Sequence, residues 1–231
     1  MNEDEVKRIK EAYSRRERII PKDLYSLFNL AHLFIVQNRE KQVLRLLHKF
    51  GMSHLEDKRV LDVGCGRGWE LRNFVRYGAR PENLYGIDLL PERVKEAKSL
   101  SPNITFQCGN AEELPYEDET FDIVVQFTVF TSILNSKMKK NIAREILRVL
   151  KFRGIILWYD YHIDNPRNSD VKGIKRKEII ELFPNCHLYL RSVTLAPPLT
   201  RAIAPYSWLL CNILEKIPFL RTHYLGIIKK S

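Results

Sequence analysis

The sequence predicts an α/β fold, a doubly wound seven-stranded sheet that is mostly parallel with an antiparallel last strand, preceded by an N-terminal helical lead-in. Two observations support this prediction. Short apolar runs alternate with amphipathic stretches from residue 59 onward, and a glycine-rich loop joins the first run to the first stretch. Strands that alternate with helices form parallel sheets with helices on both faces. A length of 231 residues with 45% hydrophobic content suits one domain over residues 1–231.

The lead-in, residues 1–57, is predicted to be helical. Apolar residues recur there at helical spacing, with basic residues between them. They include Leu24, Leu27, Leu30, Phe34, Val43, Leu46 and Leu47. This segment precedes the first strong strand signal.

Four strands and three helices follow in the first part of the predicted sheet. Pro91 suits the first turn of the second helix, where the N–H that proline lacks would have no partner. The predicted strands are residues 60–63, 84–88, 104–107 and 121–126, and the predicted helices are 69–77, 91–99 and 138–150.

The last third continues the alternation with less regular spacing. A fifth strand, 154–161, is rich in Ile, Leu, Trp and Tyr, which favour strands. We then predict a basic helix at 174–183, a strand at 187–195, a Pro197-Pro198 break, a helix at 201–215 and a closing strand at 223–228.

Composition restricts the setting of the protein. The first twenty residues contain no apolar run like a signal-peptide core, and residues 202–214 are too short for the roughly 20 residues of a transmembrane helix. The four cysteines are scattered, which predicts reduced thiols and no metal site. We therefore expect a cytoplasmic protein without a membrane-spanning segment.

The net charge of +10 is uneven, because 11 Lys or Arg stand against 4 Asp or Glu from residue 165 to the end. This bias favours an anionic acceptor, a nucleic acid or an acidic membrane surface as partner. A solvated basic surface without a partner is the alternative.

The glycine-rich loop Asp62-Val63-Gly64-Cys65-Gly66-Arg67-Gly68 stands between the first strand and its helix. Ligands bind beyond the carboxyl ends of strands in such sheets, and glycines allow close approach to the backbone. The third glycine comes one residue too early for a dinucleotide fingerprint. Asp88 ends the second strand, where a carboxylate can accept hydrogen bonds from both ribose hydroxyls. The pattern predicts a nucleoside ligand.

These residues resemble the class I S-adenosylmethionine-dependent methyltransferases, in particular the small-molecule, type-11-like family, which has a Rossmann-like fold. Gly109-Asn110-Ala111 with Leu114-Pro115, Phe121 to Val125, and Leu150 to Gly154 resemble its later motifs, although Asn110 replaces the usual Asp. The resemblance covers residues 58–162 and implies S-adenosyl-L-methionine as cofactor, with 163–231 as the substrate-side half. The implied cofactor-binding residues are Asp62, Gly64, Cys65, Gly66, Asp88, Leu89, Asn110, Ala111, Gln126 and Phe127.

A candidate general base follows the fifth strand. Period-two alternation would place Asp160, His162 and Asp164 on one side, so we predict His162 as the base, oriented by Asp160 or Asp164. An ordinary hydrogen-bonded histidine is the alternative, and metal ligation by these three is not favoured. Tyr13 and His32 are the fallback bases.

Other basic residues suggest further roles. Arg15 or Arg16 could approach the cofactor carboxylate from the lead-in helix, and Arg167 could clamp an anionic substrate. The favoured alternatives are a solvated helix face for Arg15 and Arg16, and a turn at Asn165-Pro166 followed by a solvated basic helix. The apolar and basic tail over 195–224 could form an interfacial patch for a lipid-linked acceptor, or pack the last strands.

We therefore expect O-methylation of a small-molecule, glycan-like or lipid-linked acceptor. An RNA methyltransferase is less favoured, because an added binding domain and base-flipping motif are missing. A non-catalytic nucleoside-binding protein is the alternative of a different class.

Overall fold

The lead-in consists of two helices, α1 (Glu3–Ile19) and α2 (Leu30–Lys49), in the computed structural model, which describes residues 2–166 and 168–230. Acidic side chains occupy the first turn of α1 and basic ones its last turn, as the helix dipole favours. Asn29 begins α2, because its side chain accepts hydrogen bonds from the backbone N–H groups of Ala31 and His32.

Strands and helices then alternate along the chain. Short 3₁₀ turns, which begin at Pro81, Phe130 and Pro218, lie between them. The remaining elements are β1 (Val60–Val63), α3 (Trp69–Arg76), β2 (Leu84–Asp88), α4 (Pro91–Leu100), β3 (Thr105–Cys108), β4 (Phe121–Phe127), α5 (Ser136–Val149), β5 (Leu150–Tyr161), α6 (Arg176–Leu182), β6 (Cys186–Leu195), α7 (Pro197–Ile203), α8 (Trp208–Glu215) and β7 (Arg221–Lys230).

The strands form one seven-stranded sheet in the order β3-β2-β1-β4-β5-β7-β6. The pairs from β3 to β5 are parallel, whereas β7 is antiparallel to both β5 and β6. The predicted fold class is therefore confirmed. The strand order reverses between β1 and β4, which is where sheets of this kind open a crevice for ligands.

Helices cover both faces of the sheet. One apolar cluster joins the sheet to α1, α5 and α6, and a second joins the opposite face to α2, α3 and α4. The two lead-in helices thus lie on opposite faces. A third cluster joins the first half of α2 to α7 and α8.

The structure corrects two of the predicted elements. The helix expected over 201–215 is two helices, α7 and α8; Pro197 begins the first rather than breaking the chain, and Ser207 caps the second by accepting from the N–H of Leu210. Strand β5 begins at Leu150 rather than 154, because Leu150 pairs with Phe121 before the register shifts. A β-bulge of this kind is not visible as an alternation pattern.

Among residues 2–166 and 168–230, no helix is long and apolar enough to cross a membrane.

Gly226 allows β7 to pack between its neighbours. It pairs with Trp158 of β5 and Leu190 of β6, and a Cβ built on it would lie 2.0 Å from the carbonyl oxygen of Tyr189. We expect Gly226→Ala to lower the free energy of unfolding by about 3 kcal/mol, because the obstructing atom belongs to backbone. Thermal unfolding should show a midpoint roughly 6–12 °C lower.

Lys229→Ala is the matched control, since Lys229 lies on the same strand with an exposed side chain. A Gly226→Ala midpoint equal to that of this control would contradict the packing argument.

Candidate functional site

The glycine-rich loop is held against the end of β2. The N–H groups of Gly64 and Cys65 both donate to the carbonyl oxygen of Ile87, at 2.8 and 3.1 Å. Gly64 and Gly66 have φ angles of +74° and +52°, a region that side chains disfavour. A Cβ on Gly64 would also lie 2.5 Å from Val129 Cγ2. Glycine is therefore required at position 64 on two grounds.

Asp88 ends β2 and fixes two loops with one carboxylate. Its Oδ2 accepts from the N–H of Gly66 at 2.8 Å, and its Oδ1 accepts from the N–H of Leu90 at 2.9 Å. Each carboxylate oxygen can accept a further hydrogen bond. Because Asp88 also lies on the wall of a cavity, it can bind a ligand hydroxyl without losing its structural contacts.

A second polar group lies beside Asp88. The N–H of Gly109 donates to the Asp88 carbonyl oxygen at 3.0 Å, which places Asn110 at the cavity wall. The Asn110 side chain accepts from the N–H of Glu112 and donates to the Glu112 carboxylate, both at 3.1 Å. Glu112 also accepts from the side chains of Asn2 and Asn141. A hydrogen-bond network therefore fixes this amide.

The cavity has a volume of about 760 Å³ and lies beyond the carboxyl ends of β1 and β4. Its floor comes from the glycine-rich loop and the ends of β2 and β4, and its roof comes from α1 and the segment after it. Six of the predicted cofactor residues lie on its wall: Gly64, Asp88, Leu89, Asn110, Ala111 and Phe127.

The other four predicted cofactor residues, Asp62, Cys65, Gly66 and Gln126, are not on that wall. Cys65 is buried, and its sulfur occupies the space above Gly86 that a Cβ there would enter. The Gln126 Oε1 accepts from the N–H of Val129 at 3.3 Å, while its buried Nε2 has no hydrogen-bond partner among the described residues. Their part in cofactor binding stays a prediction.

Asp62 is a buried carboxylate behind the glycine-rich loop. Burial raises its pKa well above the usual value, and the charges of Glu70 and Asp88 raise that pKa further. Arg39 of α2 opposes this shift and is itself paired with Glu70. The Arg39 guanidinium lies 5.1 Å from the ring centroid of Phe127. Sequence reasoning missed Arg39, because its position on a distant helix carries no motif.

Helix α1 closes the cavity and is anchored by polar contacts. Glu5 Oε1 accepts from the N–H groups of Leu134 and Asn135 at 2.5 and 3.2 Å, and Arg8 donates to the Ser132 carbonyl oxygen at 2.6 Å. The hydrogen bond from Arg8 lowers the pKa of Glu5. The roof is therefore attached to the loop after β4.

The C-terminal part of α1 contributes a charged and an aromatic side chain to the cavity wall. Glu17 pairs with Arg93 at 2.9 Å. The Arg93 guanidinium lies 4.5 Å from the Tyr13 ring centroid, and the Tyr13 hydroxyl is 3.0 Å from Ser132 Oγ. Tyr13, Glu17, Arg93 and Ser132 all line the cavity. Of these, sequence reasoning named only Tyr13.

Arg16 is the exception to this pairing. It lines the cavity and donates to the Tyr25 hydroxyl at 2.7 Å, and no carboxylate pairs with it among the described residues. The neighbouring Arg15 instead turns outward and pairs with Asp170 at 3.0 Å. Adjacent arginines therefore differ, and Arg16 is the one that faces the cavity.

The end of β4 contains a strained residue on the cavity wall. Thr128 has a φ of +59°, which is rare for a β-branched residue. Its N–H donates to the Tyr159 carbonyl oxygen at 2.7 Å, which holds this conformation. Thr128, Val129, Ser132 and Ile133 thereby form the wall opposite Asp88. Their only sequence signal was their position directly after β4.

The predicted pairing of His162 with Asp160 or Asp164 is wrong. The Asp160 carboxylate accepts from the hydroxyl and N–H of Thr131 at 2.6 and 3.2 Å, whereas Asp164 accepts from the N–H of Gly173 at 2.8 Å. His162 lies outside the cavity wall, stacked on Tyr224. Strand alternation correctly places residues on a common side but does not decide what covers each one.

Neither histidine candidate lies on the wall. Burial lowers the pKa of His162, and the charge of Lys175 lowers it further. His32 packs its ring edge-on against Tyr25 rather than lining the cavity. Arg167, the predicted clamp, lies outside the described residues. Within those residues, no group of three or more His, Cys, Asp or Glu side chains is arranged to hold a metal ion.

Comparisons with known proteins agree with this site. Residues 61–158 match a family model described as a methyltransferase domain. An uncharacterized protein of Haemophilus influenzae is 37% identical over 131 residues, 54% of this chain and 51% of that protein. The arsenite methyltransferase of Rattus norvegicus is 27% identical over 157 residues, 61% of this chain and 42% of that enzyme. The chain spans about half the length of these curated relatives.

A solved structure shares the fold. The crystal structure of a SAM-dependent methyltransferase from Methanosarcina mazei matches with a TM-score of 0.58 at 18% identity, over 79% of this chain and 96% of that chain.

The environment of Asp160 predicts a pH dependence of stability. Burial raises the pKa of Asp160 from 3.8 to about 6, although hydrogen bonds from Thr131 oppose the rise. The folded state therefore holds this proton more tightly than the unfolded chain, and the associated stability is lost as pH rises through about 6. The unfolding free energy of wild type minus that of Asp160→Asn should fall by about 3 kcal/mol between roughly pH 4 and 7.

Denaturant titrations of both proteins at each pH would measure this difference. The other titrating groups contribute equally to both proteins, so their contributions cancel in it. A difference that increases with pH would mean that the hydrogen bonds outweigh burial at Asp160.

Proposed function

We propose that this protein transfers a methyl group to an anionic oxygen of a small-molecule, glycan-like or lipid-linked acceptor. The proposal proceeds from residues 61–158, which are a class I S-adenosylmethionine-dependent methyltransferase domain. One observation carries the proposal. A cavity of about 760 Å³ joins the carboxylate of Asp88 to a wall that carries Arg16, a cation without a carboxylate partner among the described residues. A nucleoside group and an anion can therefore occupy the same space.

The residues present fit S-adenosylmethionine. Asp88 has free acceptor positions for ribose hydroxyls, and Leu89 with Ala111 provides apolar wall for adenine, beside the fixed amide of Asn110. Asp62 lies behind the loop expected to hold the amino-acid part, and an ammonium group close to it would favour its ionised form. The cavity volume is within the usual range for ligand sites, roughly 300–1,000 Å³.

The protein mainly positions the reactants. When bound, the cofactor supplies an activated methyl group on a sulfonium. Thr128, Val129 and Ser132 form the wall that orients an acceptor, and α1 excludes water from above. Arg16 and Lys22 line the same cavity and would attract an anion to it.

Of the candidate bases, Tyr13 alone lies on the wall, and its hydroxyl is engaged with Ser132 Oγ at 3.0 Å. No histidine is among the described residues that line the cavity, Asp88 is held by two N–H groups, and Glu17 is paired with Arg93. A neutral hydroxyl acceptor usually needs a base. An acceptor oxygen that is already ionised, such as a carboxylate or an acidic phenolate, does not. This supports an anionic acceptor and gives His162 no part in the transfer.

The cofactor site is tested by calorimetric titration of S-adenosylhomocysteine into wild type and Asp88→Ala. We expect saturable binding that is weakened by roughly a hundredfold in the variant, because ribose contacts to a carboxylate are charge-assisted. Asp118→Ala, whose side chain is 74% exposed, is the control. No binding to folded wild type would exclude the methyltransferase proposal, and equal binding by Asp88→Ala would exclude the role of Asp88.

The acceptor site is tested by methyl transfer from isotopically labelled S-adenosylmethionine to a panel of small carboxylates and phenols. For any acceptor so found, we expect Arg16→Met to raise KM by about tenfold or more, because a charge-assisted contact is lost. Affinity for S-adenosylhomocysteine should stay within about twofold. Arg15→Met, which alters the neighbouring but outward-facing arginine, should leave KM unchanged.

A matching loss of S-adenosylhomocysteine affinity in Arg16→Met would instead assign Arg16 to the cofactor. Transfer to neutral acceptors alone would contradict the anionic-acceptor proposal.

A further inference from the structure

Large apolar side chains are exposed along one face of α8. Tyr206, Leu209 and Ile213 are 89%, 72% and 50% exposed. Leu209 and Ile213 are four residues apart within α8, so they lie on one side of the helix, and Tyr206 stands two residues before the helix begins. The opposite side carries buried Cys211 and Trp208, which packs edge-on against Phe34 of α2 with ring centroids 5.7 Å apart. Helix α8 therefore packs against the protein through its other side, and the exposed face takes no part in that packing.

The segment between α1 and α2 exposes a second apolar group. Ile19 is 77% exposed and Phe28 is 98% exposed, with Leu27 and Leu30 beside them. This segment leads directly into the turns of α2 that pack against α7 and α8. Asn38 of α2 also donates to Glu215 of α8 at 2.9 Å. The two exposed groups thus flank the same helical unit, and we call them together the apolar rim.

The charges around the apolar rim are mainly positive. Arg18, Lys22, Arg201 and Lys216 are exposed, and none has an ion-pair partner in the described part of the chain. The carboxylate of Glu215 turns inward to Asn38 and the N–H of Thr194. Asp23 and Glu17 are then the exposed carboxylates of this region, and Glu17 is paired with Arg93. Exposed apolar side chains flanked by cations are typical of protein surfaces that bind anionic membranes.

The apolar rim adjoins the cavity. Ile20, Pro21, Lys22 and Tyr25 line the cavity and belong to the segment that carries Ile19 and Phe28. The charge of Arg201 also acts on His32, which packs against Tyr25. An object docked on the rim would therefore lie beside the cavity.

We propose that the apolar rim docks on an anionic lipid bilayer, with Leu209, Ile213 and Phe28 entering the headgroup region. A second copy of this chain is disfavoured, since two positive rims would repel each other. A nucleic acid would pair with the cations but leave the apolar tips in water. Membrane docking does not depend on methyl transfer. If the proposed function holds, docking would let an acidic lipid-linked acceptor pass from the bilayer to the cavity.

The test is flotation of the whole protein with vesicles of phosphatidylcholine alone or with about 30% phosphatidylglycerol. We expect binding to the anionic vesicles at moderate salt, at least about tenfold weaker binding to the neutral ones, and release by high salt. Equal binding to both vesicle types would overturn the anionic part of the proposal. Failure to bind either would overturn all of it.

Variants connect the binding to the rim. The double variant Leu209→Glu with Ile213→Glu should lose vesicle binding by about tenfold or more, because it places carboxylates against an anionic surface. Ile180→Glu, at an exposed position of α6, is the matched control and should bind as wild type does. Unchanged binding by the double variant would refute the rim as the docking surface.

Two further measurements separate membrane docking from damage to the cofactor site and from self-association. Titration with S-adenosylhomocysteine reports whether the double variant keeps its cofactor site, so a loss of vesicle binding alone is separate from failure of the proposed function. Phe28→Ser changes a side chain that is 98% exposed and repeats the test without disturbing the core. Light scattering that shows a dimer abolished by the same substitutions would assign the rim to self-association and overturn the membrane proposal.

Discussion

The carboxylate of Asp88 is the contact on which the geometry of the site depends. It receives the N–H of Gly66 from the loop after β1 and the N–H of Leu90 from the start of α4. Its own carbonyl oxygen receives the N–H of Gly109. Three loops at the carboxyl edge of the sheet are thereby held by one residue. The same carboxylate lies on the cavity wall, so the group that organises the loops is also the group available to a nucleoside ligand.

The roof of the cavity is held differently from its floor. The floor is made by backbone hydrogen bonds at strand ends, which are fixed by the sheet. The roof, α1, contacts the loop after β4 through the charged side chains of Glu5 and Arg8. Its Arg15 pairs with Asp170, which follows β5. Partly exposed ion pairs contribute little free energy each. Helix α1 is held instead by side-chain contacts, which include buried Ile9 in the apolar cluster of the sheet and buried Glu5.

Sequence reasoning predicted the parts of the site that are local in the chain. The glycine-rich loop, Asp88 and Asn110 each directly follow a strand, and the strand order brings them together. Contacts that depend on distant packing were not predictable. Arg39 reaches the site from α2, and Asp160 is taken by Thr131 instead of His162. The helix predicted over 201–215 was wrong at both of its parts, because α7 starts earlier, at Pro197, and Ser207 caps a separate helix.

The charge pattern along α1 separates structural arginines from functional ones. Arg8 and Arg15 are compensated by carboxylates, as expected for residues that hold a helix in place. Arg16 lines the cavity and has a phenol rather than a carboxylate as its hydrogen-bond partner. The half-buried Arg16 guanidinium thus has no carboxylate counter-charge among the described residues. Such an arrangement is typical of ligand sites, where the missing negative charge arrives with the ligand. An anion in this cavity would therefore supply Arg16 with the counter-charge that the described residues do not provide.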